Sequence, residues 1–292
     1  MAIRTDLALE ALESCRPASG SASQTQRDLQ GFSLTQVTIH REDAALGRPP
    51  GNYYTLAIDA LLRREEDAFS RACHAVAQSL EQLTAQQCHD PRAPVLVIGL
   101  GNRAVTPDAI GPLCCQSVLA TRHLVERSPA QFRAFRPVAV LAPGVLGMTG
   151  VETGEIVRGV IDRIRPCLVI AVDALAARRL SRLMCTIQMT DTGIVPGSGV
   201  GNARTALTQQ ELGIPVLAVG VPTVVDGATR AADIAEQTGA SCEALDDLST
   251  PVLVTTRDVD QQVADAARVI GYGINLFLHP TLDIADIDLF LS

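Results

Sequence analysis

The sequence predicts an α/β fold: a mostly parallel sheet flanked by helices on both faces, with a small N-terminal β-rich insertion. Three observations carry this expectation. Four continuous apolar runs, Pro94–Leu100, Val138–Leu141, Leu168–Val172 and Pro215–Val221, have the composition of strands buried on both faces. Helix-period segments near Asp108–Val125, Glu152–Arg165, Val224–Glu236 and Asp260–Phe277 alternate with those runs at crossover length. Hydrophobic residues make up 47% of the 292 residues and charged residues 19%, the balance of a chain that buries a core rather than one that stays disordered.

Taken in order, Asp6–Leu12 reads as a short helix with Thr5 as its cap and Leu9 and Leu12 on one face. The tract Arg16–Gln26 (RPASGSASQTQ) is rich in Ser, Gly, Pro and Gln and is expected to be a loosely tethered arm or exposed loop. Gly31–His40 and Tyr53–Asp59 are β-favouring and flank the turn cluster GRPPGN, so they predict a β-pair. Leu61–Gln87 has the spacing of an amphipathic helix, and Met184–Thr190 that of a further, antiparallel strand. The expected organisation is an N-terminal arm over residues 1–30 and one α/β domain over residues 31–292.

Composition removes several classes of function. All 24 basic residues are arginine, which excludes Schiff-base lysines, P-loop lysines and Ser-Lys dyads. A net charge of −8 without a basic block argues against direct nucleic-acid binding. Neither a signal-peptide pattern nor a membrane-length apolar stretch is visible. Eight cysteines without a C-x-x-C spacing read as reduced, mostly buried thiols of a cytoplasmic protein. The five histidines, including His279 at an expected helix end, show no metal-ligand spacing, so neither a metal nor another cofactor is expected.

Chemistry concentrates in three regions. In GLGNRAVTPDAIGP, Asp108 follows Pro107 at a helix start, where a carboxylate either serves the helix dipole or acts as a catalytic acid. The G-x-G pair lacks the third glycine of a dinucleotide fingerprint. In LVIAVDALAARRL, Asp173 follows five apolar residues; it is either paired with Arg178 or Arg179, a cap, or a functional carboxylate in the crevice at the strand ends. The glycine-rich TDTGIVPGSGVGNAR lets backbone approach a ligand, which makes Gly197 and Gly199 candidates for a substrate wall. Its Ser198 sits in PGSGV and does not match a nucleophile elbow. Asp191, Asp226 and the Glu152/Glu155 pair read as caps or first-turn acids. Arg103 and Arg204 are the cations available to grip an acidic substrate side chain, with solvated loop residues as the alternative reading.

These residues lie in motifs that resemble the germination protease family of spore-forming bacteria. The likeness runs through IRTDLALEA, GLGNRAVTPDAIGP, LAPGVLGMTGVETGEIV, VIAVDALAAR, QMTDTGIVPGSGVGN, VGVPTVVDG, TPVLVTTRDVD and LHP, in that order and over most of the chain. The resemblance implies a fold similar to that of hydrogenase maturation endopeptidases and an aspartic-type endopeptidase with Asp108 and Asp173 as its essential pair. It further implies degradation of small acid-soluble DNA-binding spore proteins during germination, in the cytoplasm of the forespore or spore core. By the same likeness the protein is a homotetrameric zymogen that removes residues 1–6 autocatalytically by cutting between Asp6 and Leu7. The alternatives are a catalytically silent peptide-binding module and a hydrogenase-maturation-type peptidase.

Overall fold

The computed structural model describes residues 5–15, 17–84, 90, 92–201, 203–238 and 252–292. Residues 1–4 of the expected propeptide, together with Cys88, His89 and Cys242, lie outside the described residues. The strands are β1 (Ala22–Leu29), β2 (Phe32–Ile39), β3 (Gly51–Ala57), β4 (Val95–Gly99), β5 (Val138–Leu141), β6 (Leu168–Ala177), β7 (Thr186–Thr190), β8 (Val216–Asp226) and β9 (Leu253–Val254). The helices are α1 (Ala8–Ser14), α2 (Asp59–Leu62), α3 (Ala68–Thr84), α4 (Ile110–Gln116), α5 (Arg122–Arg127), α6 (Leu146–Thr149), α7 (Thr153–Ile164), α8 (Gln209–Leu212), α9 (Gly227–Thr238), α10 (Val259–Leu278) and α11 (Ile284–Leu291).

All described strands belong to one sheet of order β1-β2-β3-β7-β8-β6-β4-β5, with β9 on the end of β8. The α/β class holds, but the sheet is mixed rather than mostly parallel. Only β4/β5, β4/β6 and β6/β8 pair parallel, and the other pairings are antiparallel. Connection length is the reason: long connections separate the parallel strands, with helices between β4 and β5 and between β5 and β6 and with β7 and α8 between β6 and β8, whereas β1 and β2 are joined by a two-residue turn at Gln30 and Gly31, both with positive φ. The N-terminal β-rich part, β1 to β3, is continuous with the main sheet, which β3 joins through β7.

The two faces of the central strands are filled alternately, as unbroken apolar sequence requires. Val95 and Val97 of β4 and Ile170 and Val172 of β6 pack beneath Val76 and Leu80 of α3, Ile110 of α4 and Ile270 and Ile274 of α10. Leu96, Ile98, Val169 and Ala171 face the other way, against Val157, Val160 and Ile161 of α7. That helix starts with a capping box in which Glu152 and Glu155 satisfy each other's backbone, the role their spacing predicts.

Several segments differ from expectation. The polar tract expected as an exposed loop instead contributes β1, an almost wholly exposed edge strand. Its ladder to β2 is satisfied by backbone bonds, so no apolar side chains are needed. The segment Leu61–Gln87 is broken between α2 and α3, where Arg64 and Asp67 take positive φ. Cys167 is disulfide-bonded, unlike the reduced thiols expected, a pairing with no spacing signature in the sequence. No helix among the described residues is long and apolar enough to cross a membrane.

Candidate active site

A cavity of about 840 Å³ opens beside the carboxyl ends of β4, β6 and β8, and its lining includes Asp108, Asp173 and Asp6. Asp173 lies inside β6 rather than after it, because the strand runs five residues further than its apolar core suggested. Its neighbour in register on β8 is Gly220. Only 5% of Asp173 is exposed, and its Oδ1 accepts the Ala174 N–H at 2.9 Å. Arg178 and Arg179 do not pair with it: the Arg178 Nη1 donates to Ser14, and Arg179 forms an ion pair with Glu13 at 3.2 Å.

Asp108 arrives from the other side, on a single 3₁₀ turn (Thr106–Asp108) that follows β4. Its Oδ2 accepts the Asn102 N–H at 2.8 Å. Two glycines make this approach feasible. Gly101 has φ +108°, and a Cβ there would lie 2.1 Å from the Asp108 carbonyl oxygen. At Gly111, a Cβ would meet Val172 O at 2.5 Å, so this glycine lets the turn and α4 press against the strand that carries Asp173.

Burial pushes the Asp173 carboxyl well above the usual range, and the negative charge of Asp108 and then that of Asp6 push the same way against the Ala174 N–H. Burial also raises Asp108, partly offset by the Asn102 N–H. Two carboxyls in one cavity, both shifted toward the protonated form, can hold one proton between them. Such a pair supplies one acid and one base at the same pH.

The third carboxylate belongs to the N-terminal segment, which docks along β6. The Asp6 N–H donates to Ala176 O at 2.8 Å; its Oδ2 accepts the Ala176 N–H at 2.9 Å and its Oδ1 the Ser198 hydroxyl at 2.8 Å. Leu7 is 1% exposed and packs among Leu175, Ala177, Leu183 and Val225. Beyond it, the buried Glu10 accepts the N–H groups of Arg178 at 2.7 Å and Arg179 at 3.0 Å, and the Thr5 hydroxyl. The expected helix is present as α1, with Leu7 rather than Thr5 at the N-cap position.

The remaining sequence candidates divide. Gly197, with φ +74°, and Gly199 line the cavity. Arg204 also lines it and sits 3.6 Å from Glu152 in an ion pair, whereas Arg103 is exposed and outside the lining. Asp226 caps α9 by accepting the Thr229 N–H, and Asp191 accepts two bonds from Asn52. His279 ends α10, buried, with its Nδ1 accepting the Arg136 N–H at 3.4 Å. Sequence reasoning missed two polar groups. Ser198, set aside as a nucleophile, binds Asp6 instead. Thr223, at the β6/β8 bulge, is fully buried on the cavity wall with no hydrogen-bond partner for its hydroxyl among the described residues. Among the described residues no three His, Cys, Asp or Glu side chains are grouped to hold a metal ion.

Residues 10–238 match the family model described as germination protease, peptidase A25. A germination protease of Caldanaerobacter subterraneus subsp. tengcongensis is 42% identical over 97% of this chain and 96% of its own. That of Clostridium acetobutylicum is 35% identical over 99% of both chains. A Bacillus cereus germination protease is 41% identical over 79% of this chain and 65% of its own.

Proposed function

The chain belongs to the germination protease family and is a peptidase, and from that premise we propose that Asp108 and Asp173 hydrolyse its substrates, the small acid-soluble DNA-binding proteins of the spore. The observation that carries this reading is the shared cavity: the two acids with raised proton affinity line the same space as Asp6, the residue preceding the expected cut.

Asp173, the more deeply buried, holds the shared proton and gives it to the carbonyl oxygen of the scissile bond. Asp108, ionised and braced by the Asn102 N–H, takes a proton from water as the water oxygen attacks the carbonyl carbon. When the tetrahedral intermediate collapses, a hydroxyl proton returns to Asp173. The C–N bond breaks, and Asp108 protonates the leaving nitrogen. Both carboxyls are then restored to their starting states.

The same site acts first on its own chain, between Asp6 and Leu7. A tethered segment is present at high effective concentration, so it occupies the cavity until it is cut. The proposal includes a homotetramer acting in the cytoplasm of the forespore or spore core. Exposed apolar residues of α11, Leu289 at 74% and Phe290 at 51%, support a surface that a second copy covers.

The test is to hold the purified chain at mildly acidic pH, add a small acid-soluble spore protein, and locate cuts by mass spectrometry. Fragments ending in an acidic residue are expected. An intact substrate beside chains that already begin at Leu7 would refute the substrate assignment.

A further inference from the structure

We propose that Ser198 Oγ and the Ala176 backbone N–H form the receptor for the acidic side chain preceding the scissile bond, with Gly199 keeping it open. The inference rests on the reading that this site cuts the Asp6–Leu7 bond, and it deepens that reading by assigning the specificity to neutral donors rather than to arginine.

Three observations support the assignment. The Asp6 carboxylate uses both of its oxygens, one on each donor, at 2.8 and 2.9 Å. Ala176 also accepts the Asp6 N–H, so a single residue of β6 fixes the main chain and the side chain together. The pocket wall has no room for more than a hydrogen at Gly199, where a Cβ would lie 2.1 Å from the Asp6 Oδ2. Of the two arginines among the described residues that line the cavity, Arg204 pairs with Glu152 and Arg48 donates to the Thr5 carbonyl oxygen rather than to the Asp6 carboxylate.

Neutral donors also suit the chemistry. A cation beside Asp108 and Asp173 would favour their ionised forms and strip the proton that the pair must hold. A hydroxyl and a backbone amide grip a carboxylate through charge-assisted hydrogen bonds without adding a positive charge. A carboxamide of the same shape would make weaker bonds to the same two groups.

A double-mutant cycle on self-processing in the full chain tests this, with intact mass and N-terminal sequencing following chains that begin at Leu7. Asp6→Asn is expected to slow the cut ~10-fold or more in the parent chain, the size of a charge-assisted hydrogen bond. Ser198→Ala should slow it similarly, and adding Asp6→Asn to Ser198→Ala should then cost little more. Ser198→Thr, which keeps the hydroxyl, should retain the sensitivity to Asp6→Asn. Ser198→Cys, a weak donor of similar size, should behave like the alanine variant and serves if that variant does not fold. Fully additive effects of Asp6→Asn and Ser198→Ala would overturn the receptor while leaving the peptidase reading intact. A parent chain that never cuts at Asp6–Leu7 would instead overturn the reading beneath it.

Discussion

Glu10→Ala should release the N-terminal segment from the cavity and switch on the uncut chain. Glu10 is 1% exposed, and its carboxylate is the acceptor for the backbone N–H groups of Arg178 and Arg179, just past the end of β6, and for the Thr5 hydroxyl. Hydrogen bonds to a charged group contribute roughly 1.5–3 kcal/mol each and are not additive, so truncation weakens docking by about 3 kcal/mol. At 1.36 kcal/mol per factor of ten, that multiplies the undocked fraction roughly 100-fold. Hydrogen exchange of the α1 amides measures the opening, and cleavage of an added acidic peptide by the uncut chain measures the vacated site. Both should rise together in Glu10→Ala, while self-processing at Asp6–Leu7 slows because the segment is no longer held in register. Faster exchange without any gain in peptide cleavage would show that the segment does not block the cavity. Unchanged exchange would show that Glu10 is not its anchor.

Two further outcomes follow from buried titratable groups. Burial, and then Arg136, lower His279 to about 4, so the unfolded chain takes up a proton near pH 6.5 that the folded chain accepts only near pH 4. Stability from this group is therefore complete above pH 6.5 and lost as pH falls toward 4, by about 3 kcal/mol. Urea unfolding of the parent and His279→Gln at pH 7 and 4.5 should show a smaller acid loss in the variant, and equal losses would contradict the assignment. For Asp173 the sign is reversed: its folded affinity for a proton is raised, so stability is lost as pH climbs past the ordinary carboxyl range. Asp173→Asn should accordingly melt no lower than the parent at pH 7, and a lower melting temperature would show that the ionised carboxylate is needed for folding.

What the sequence revealed and what it hid have physical explanations. The strands β4, β6 and β8 were legible because burial on both faces demands unbroken Val, Ile and Leu. The capping acids were legible because their geometry is local. Asp108 and Asp173 stood out because a carboxylate beside a buried strand needs a reason to be there. The edge strand β1 was not legible, since a strand exposed on both faces carries no apolar alternation. Nor was the full length of β6, where an aspartate inside the strand looked like its end. Ser198 was hidden for a different reason: its meaning depends on Asp6, 192 residues away, and no local pattern joins them. Charge and nearness to Gly101 and to the glycine-rich loop single out Arg103 and Arg204, whereas the Asp6 carboxylate is met by two neutral donors that carry no charge signal in the sequence.

The central claim is that Asp108 and Asp173 form one catalytic pair, and the most direct measurement is self-processing of full-length Asp108→Asn and Asp173→Asn. Each variant removes one carboxylate at nearly constant shape, and each should remain folded by circular dichroism. At mildly acidic pH the parent should accumulate chains beginning at Leu7, whereas both variants should show none over the same period and should leave an added acidic peptide uncut. Processing by either variant at close to the parent rate would contradict the pair.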